Sequence, residues 1–475
     1  MGLPESFCML LLPFASEFTQ PSYYLFQNLV RGWLLCPGRR SITNCIRTAQ
    51  VIGDGHFSNY HRFFSQHVWS LDTLGFVLLG LFLRFLPPGA RLQWIVDDTL
   101  NRKTGKSIIH AGMHRDPLLS TEKKDRFSFG LVFVIVCLAV FLPWEPKRVY
   151  ACPLFFRLYR TKKTSQSQGV AHRKKGELAT DIFTKIDAWL LAHHPQRAWE
   201  VMGDSEYVQR HFAVSLTRRL AQQRDELFHL PQPEEGDLAG EEVFFFGRLP
   251  LDAALYQILS AEEKKRRPGQ MGAPRKKGLR LPNPQQVADD PQIPWKQTTV
   301  SIYGRQVSTQ IKEGEALWYG NGESLEIHWL VVRDPKAKRE DEAFFSTDLS
   351  FMAEPILVHY SWRWSQEVTH HDTKQFLRAE DPQTRNPTST QRLTPFAFLL
   401  YSLVMLWAIQ KGQQWWQTQC PTVPWYPQKK TLSFVDLLNL LKREALRETL
   451  LKTPQQHWTL QKLERLFLPY YTAVG

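Results

Sequence analysis

A chain of 475 residues is long enough for more than one folding unit and for a sizeable core. Its 43% hydrophobic, 13% aromatic and 22% charged residues lie in the globular range, which excludes a wholly disordered, collagen-like or coiled-coil protein. Lys and Arg outnumber Asp and Glu by 59 to 46, and the formal net charge of +13 favours an anionic partner.

The first ninety residues read as helices. Residues 22–35 and 71–86 are apolar and aromatic enough to pack, and Ser41 can cap a helix whose inner face holds Ile42, Cys45 and Ile46. Residues 1–12 are apolar but carry Glu5, lack a basic lead and run into Pro13, which predicts a mature start and no signal peptide. The pattern then changes to Leu92-Gln93-Trp94-Ile95-Val96, a short apolar strand ending in Asp97-Asp98-Thr99. Residues 127–142 are nearly unbroken apolar, yet these 16 residues fall short of the roughly 20 that span a bilayer. Their Val, Ile and Phe content predicts two adjacent buried strands and no membrane association. A further strand is expected over 148–158. Leu178, Ile182, Ile186, Trp189 and Leu190 recur at helical spacing up to His194-Pro195, and a strand over 198–202 ends at Gly203-Asp204. Three strands, a helix and a strand, with acids closing the first and last strands, are the opening of an RNase H-like α/β sheet.

After Asp204 the sequence predicts a helix to about residue 223, a strand at 243–246, and a Pro/Gly-rich basic stretch over 264–284 that interrupts the core. Residues 299–332 alternate like a hairpin or meander, marking an inserted β-rich subdomain. A helix around Tyr360, an apolar helix over 393–409, a Trp/Pro-rich loop over 413–428 and two more helices complete the chain. The expected organisation is a helical N-terminal region at 1–90, a candidate DNA-binding unit. An RNase H-like core follows at 91–249, a β-rich insertion with a basic loop at 250–350, the second part of the core at 351–412, and a helical C-terminal region at 413–475.

Six scattered cysteines without a Cys-x-x-Cys pair argue against a zinc ribbon or disulfide framework and for a reducing, cytoplasmic compartment. Residues 157–175 hold seven Lys/Arg and residues 264–280 hold eight, with no acid in either stretch, so together they exceed the net charge of the whole chain. Two dense basic segments on an otherwise near-neutral body predict a polyanion footprint, nucleic acid above all, with Arg275, Lys276 and Lys277 as phosphate contacts. Gly105-Lys106-Ser107 lacks the earlier glycine of a phosphate-binding loop, where Leu100 stands, and His110 and His114 lack a metalloprotease glutamate.

The sharpest signal is a polar stripe. Tyr360, Arg363, Glu367 and Lys374 are spaced three, four and seven apart, which predicts that all four project from one helical face. Two strand-end aspartates and a helical glutamate suit the hard ion Mg²⁺ in two-metal phosphoryl transfer, while an arginine and a lysine beside them can hold the flanking phosphates.

Tyr360-x2-Arg363-x3-Glu367-x6-Lys374 resembles the YREK signature of bacterial insertion-sequence transposases of the DDE superfamily, whose catalytic domain is RNase H-like. Val96-Asp97-Asp98-Thr99 resembles that family's first acidic motif, Val201-Met202-Gly203-Asp204 the second, and Arg333-Asp334-Pro335 the approach to the glutamate helix. The resemblance covers roughly residues 90–410. It implies a catalytic and metal-binding triad of Asp97, Asp204 and Glu367, with Asp98 as the alternative to Asp97. Asp97 is favoured because it stands two residues before Thr99. It also implies two Mg²⁺ or Mn²⁺ ions, and DNA contacts from Tyr360, Arg363 and Lys374. The implied activity is that of an endonuclease and strand transferase acting on terminal inverted repeats and target DNA, as a homodimer on DNA. The sequence departs from the family at His370-His371-Asp372, where an apolar or aromatic residue is usual. A stand-alone RNase H-like nuclease and a catalytically decayed DNA-binding copy are the alternative readings.

Overall fold

The computed structural model describes residues 1–51, 55–121, 123–195, 197–228, 243–265, 275–302, 305–336, 338–421, 424, 427, 429–452 and 459. Helices come first: α1 (Glu5–Leu11), α2 (Gln20–Leu35), α3 (Ile42–Ala49), α4 (Ser58–Ser65) and α5 (Leu71–Leu83). The core then runs β1 (Leu92–Arg102), β2 (Gly112–Arg115), β3 (Phe127–Phe141), β4 (Val149–Tyr159), α6 (Lys162–Ser167), α7 (Lys175–His193), β5 (Trp199–Gly203), α8 (Arg210–Phe228) and β6 (Val243–Leu249). A β-rich stretch follows, with β7 (Leu255–Tyr256), α9 (Ala261–Lys264), α10 (Pro284–Asp289), β8 (Lys296–Ile302), β9 (Arg305–Gly320), β10 (Glu323–Arg333) and β11 (Glu342–Ser346). Last come α11 (Ala353–Trp362), α12 (Trp364–Phe376), α13 (Pro387–Gln410), α14 (Gly412–Thr418) and α15 (Phe434–Lys452).

The fold is α/β, with a mixed 11-stranded sheet among the described residues and helices on both faces. In the core, β1 is central: it pairs antiparallel with β3 and parallel with β5, and β5 pairs parallel with β6. β4 and β2 share the outer edge of β3, giving the order β4-β3-β1-β5-β6 expected of an RNase H-like sheet. β11 pairs with β6 and carries the sheet onward through β10 and β9, so the β-rich stretch is continuous with the core sheet. Neighbouring residues of a strand point to opposite faces. Phe155 meets Phe76 of α5 while Phe156 meets Phe398 of α13. A sheet covered on both faces needs continuous apolar strands, which is what residues 131–140 supply.

That run forms one strand of 15 residues where two were expected. Gly130 does not mark a turn. A Cβ there would lie 2.2 Å from the Asn101 carbonyl oxygen, so the glycine marks the close approach of β1 to β3. The second departure is α14, helical where a Trp/Pro-rich loop was expected, because Trp416 is buried and donates its indole N–H to Glu145 at 2.9 Å. Of the two expected closing helices α15 is present, and the other falls outside the described residues. α13 is long and apolar enough to cross a membrane by length and composition, yet 94% of its most apolar window is buried inside the protein.

The N-terminal helices pack on the C-terminal third of the chain. Trp33 donates its indole N–H to the Leu377 carbonyl at 2.8 Å, and Arg392 of α13 donates to the carbonyls of Phe64, His67 and Trp69. Ser41 caps α3 by accepting from the Asn44 amide at 3.2 Å, with Cys45 and Ile46 buried behind it. Arg40 is buried as well, donating to Trp33 and Phe376 carbonyls, and is therefore committed to packing.

At the far end of β1, Arg102 binds Asp116 through two nitrogens at 2.6 and 2.8 Å, and Asp116 also accepts from Ser128 at 2.7 Å. These partners, Arg102 foremost, hold the Asp116 carboxyl down to about 2, and its side chain is 1% exposed. Because the folded value lies below the ordinary 3.8, the stabilisation is complete above about pH 4 and disappears as pH falls toward 2. Asp116→Asn should therefore cost on the order of 2 kcal/mol at neutral pH and nothing near pH 2, read as the difference in urea midpoints at the two pH values. Gly130→Ala should cost about 1–3 kcal/mol at any pH by forcing β1 and β3 apart, and an unchanged midpoint would refute the close-approach role.

Candidate active site

The parallel register sets Val96 of β1 beside Gly203 of β5, so the next residues, Asp97 and Asp204, stand side by side. Gly203 allows this, since a Cβ there would lie 2.8 Å from Val208 in the turn that carries Asp204. That turn is tight: the Asp204 carboxylate accepts from the Glu206 amide at 2.9 Å, and its carbonyl accepts from the Val208 amide.

Asp97 and Asp98 leave β1 on opposite faces, and their partners differ accordingly. Asp98 accepts from Lys175 of α7 and from the Tyr207 hydroxyl, both at 2.8 Å, and Lys175 also pairs with Glu206 at 3.0 Å. Asp98 is thereby spent on tying β1 to α7 and to the β5–α8 turn. Asp97 faces α12, with Arg363 Nη1 3.7 Å away and its own side chain 17% exposed. Burial, then the charges of Asp98 and Asp204, push the Asp97 carboxyl up to about 8 against the opposing pull of Arg363. The recess therefore disfavours a second anion beside Asp204, and a cation bound there would favour the ionised form of Asp97.

The polar stripe straddles a break. The helix expected to run through Tyr360, Arg363, Glu367 and Lys374 is interrupted at Arg363, where the Arg363 amide bonds to Tyr360 and the Gln366 amide to Arg363 in three-residue steps. Tyr360 thus belongs to α11, while Glu367 and Lys374 belong to α12. Arg363 at the junction donates to Glu367 at 2.8 Å and lies 5.8 Å from the Tyr360 ring centre, so it links the stripe to Asp97. Lys374 turns inward, donating to the Leu100 carbonyl of β1 at 2.7 Å, and burial lowers its pKa.

Sequence reading missed what holds α12 in place. Its inner face is polar: Gln366, Thr369, His370 and Thr373 are buried. Gln366 donates to the Ile135 carbonyl at 3.0 Å and Thr369 to the Ala151 carbonyl at 2.9 Å, so with Lys374 the helix is hooked to three strands. The spacing of these residues was the available signal, since 366, 369 and 373 repeat as a helical stripe without apolar members. His370 is packed against Phe398, and burial lowers its pKa to about 3, so it is a neutral core residue. His371 is exposed beside Asp372.

The basic segments are less available than their charge count suggests. Arg157 is bound by Asp72 and Asp181, Arg160 donates to His110 at 3.1 Å, and Lys175 is held by Asp98 and Glu206, which leaves Lys162, Lys163, Lys174 and Arg173, 3.8 Å from Asp181, exposed in the first segment. In the second, residues 266–274 lie outside the described residues. Arg275 and Lys276 are exposed, but Lys277 is clamped between the rings of Tyr256 and Tyr319, at 4.2 and 4.4 Å. Lys277 anchors the loop and does not offer its charge freely.

Among the described residues no three His, Cys, Asp or Glu side chains are gathered closely enough to hold a metal ion. The donor chemistry nevertheless suits a hard divalent cation: Asp97 and Asp204 adjoin at the end of the β1–β5 pairing, and Glu367 is one ion pair away, drawn aside by Arg363. No curated protein matches the chain. Residues 13–233, which include Asp97 and Asp204 and stop before Glu367, match the family described as DDE superfamily endonuclease, and this supports a DDE-type transposase or nuclease family for the chain.

Proposed function

We propose that the chain is a DNA transposase of the insertion-sequence, YREK-signature kind, which cuts the ends of its element and joins them to target DNA. The observation that carries this reading is the pairing of Asp97 with Asp204 at adjoining strand positions, with Glu367 linked to Asp97 through Arg363. Asp97, Asp204 and Glu367 are the residues that would hold two Mg²⁺ or Mn²⁺ ions, with Asp98 excluded by its bonds to Lys175 and Tyr207. Such ions, when bound, supply a polarised nucleophile and neutralise the leaving oxygen of an in-line displacement at phosphorus.

The chain's own residues bind and orient. Glu367 would join the two aspartates by giving up Arg363, and Arg363, kept close by the Tyr360 ring, then has its fork free for a phosphate flanking the scissile bond. Lys374 stays on Leu100 and contributes positive charge along β1 toward the same phosphate backbone. In the first step water replaces the 3′ oxygen at phosphorus, and that oxygen leaves with a proton as a 3′-hydroxyl. In the second, the same 3′-hydroxyl replaces a target 3′ oxygen, so the number of phosphodiester bonds is conserved and no nucleotide is consumed. Terminal inverted repeats and target DNA are the partners of this reading, a homodimer on DNA its assembly, and the cytoplasm its compartment.

Glu367→Gln keeps shape and removes one negative charge, so end-DNA binding should survive while cleavage falls by at least about a hundredfold in Mg²⁺. A labelled end fragment scored in parallel for gel shift and nicking tests this, and cleavage at the parental rate would remove Glu367 from the reaction. Joined products separate a transposase from a nuclease that only cuts. Replacing exposed Arg275 and Lys276 together with alanine should flatten log affinity against log salt by about 0.9 for each phosphate no longer neutralised. Equal slopes for parent and variant would show that this loop is merely solvated.

A further inference from the structure

The tip of the β2–β3 ribbon takes no part in the site described above, yet it exposes a dense run of apolar side chains. Ile109, Met113, Leu118, Leu119 and Phe127 all stand among the chain's exposed large hydrophobics, with Leu118 at 78% and Leu119 at 55%. Arg115 lies opposite Phe127, and Met113 opposite Phe129, so Met113 and Phe127 emerge from the same face of the ribbon. Gly112 and His114 are buried on the other face. An apolar patch of this kind, rimmed by charge, marks an interaction surface.

Among the described residues the rim is basic: Lys123, Lys124 and Arg126 are exposed, whereas Asp116 is bound by Arg102 and Asp125 by Arg115, each at 2.6 Å. The tip is also rigidly mounted. Asp116 takes Arg102, the Ser128 hydroxyl and the Leu118 amide together, and Arg102 is the last residue of the strand that carries Asp97.

We propose that this ribbon is a wedge that enters duplex DNA at the end of β1 away from Leu92, several base pairs from the candidate active site, with Leu118 and Leu119 inserted at a base step and Lys123, Lys124 and Arg126 on the adjoining phosphates. The proposal rests on the transposase reading. Apolar side chains that part a base step unstack and bend the duplex, and a tip held by a buried ion pair loses little freedom in doing so. A bend at that step turns the rest of the duplex along β1 toward Asp97. A symmetric contact with a second copy would instead set two basic rims against each other, which like-charge repulsion opposes.

The test uses the full chain with a labelled duplex of fixed sequence and with the same duplex carrying a short central mismatch bubble, followed by fluorescence anisotropy. The parental chain should bind the bubble duplex about tenfold more tightly, because its unstacking is already done. Leu118→Ser with Leu119→Ser should abolish that preference, and the exposure of both positions leaves folding unthreatened, as circular dichroism would check. Lys123→Ala with Lys124→Ala should flatten the salt dependence and retain the preference. An undiminished preference in the double-serine variant overturns the wedge. So does a fall from dimer to monomer by sedimentation in that variant with the preference intact, which assigns the patch to a second copy. A parental chain that binds neither duplex overturns the transposase reading itself, an outcome distinct from failure of the wedge alone.

Discussion

Three aspartates crowd the end of the β1–β5 pairing, and a single guanidinium, that of Arg363, bridges Asp97 to Glu367. This imbalance of charge is the constraint that the rest of the centre answers. Asp98 is neutralised on the far face by Lys175, leaving Asp97 and Asp204 to be balanced from the α12 side. Removing Arg363 without supplying another cation would leave buried carboxylates repelling one another, which a low-dielectric recess penalises heavily. Arg363 is thus a structural counter-ion, shared between Asp97 and Glu367.

Balancing charge requires holding α12 at a fixed height above the sheet, and apolar packing alone would not fix it. Greasy surfaces slide, whereas the bonds from Gln366, Thr369 and Lys374 to carbonyls of three different strands specify both rotation and translation of the helix. The break at Arg363 serves the same end, because it lets α11 follow its own packing while α12 keeps Glu367 beside Asp97.

Much of the core was legible in the sequence because its strands are buried on both faces and its acids follow apolar runs. The strand order and the adjacency of Asp97 and Asp204 follow from that pattern and from the parallel pairing of β1 with β5. Spacing alone could not reveal the helix break, since Arg363 keeps helical dihedrals and only the hydrogen-bond step shortens. Nor could charge counting show that Arg157, Lys175 and Lys277 are consumed internally, because their partners Asp72, Glu206 and Tyr319 are distant in sequence. The single long β3 reads as two strands in the sequence because an unbroken apolar run of 16 residues exceeds a usual strand and carries no mark of its own length, which is set by pairing with β1, β2 and β4.

The docking of α13 against the first helices has a consequence for how the molecule is made. Trp33 waits for the carbonyl of Leu377, Ser6 for the indole of Trp407, and the backbone around Phe64 for Arg392. A ribosome that has delivered the first hundred residues has therefore released helices whose partners on α13 lie some three hundred residues further along the chain, although α5 meets Phe155 of β4 much sooner. Docking of α13 must therefore come late, and a chain cut short anywhere before α13 would be left with N-terminal helices missing their main partner, a natural substrate for chaperones and proteases.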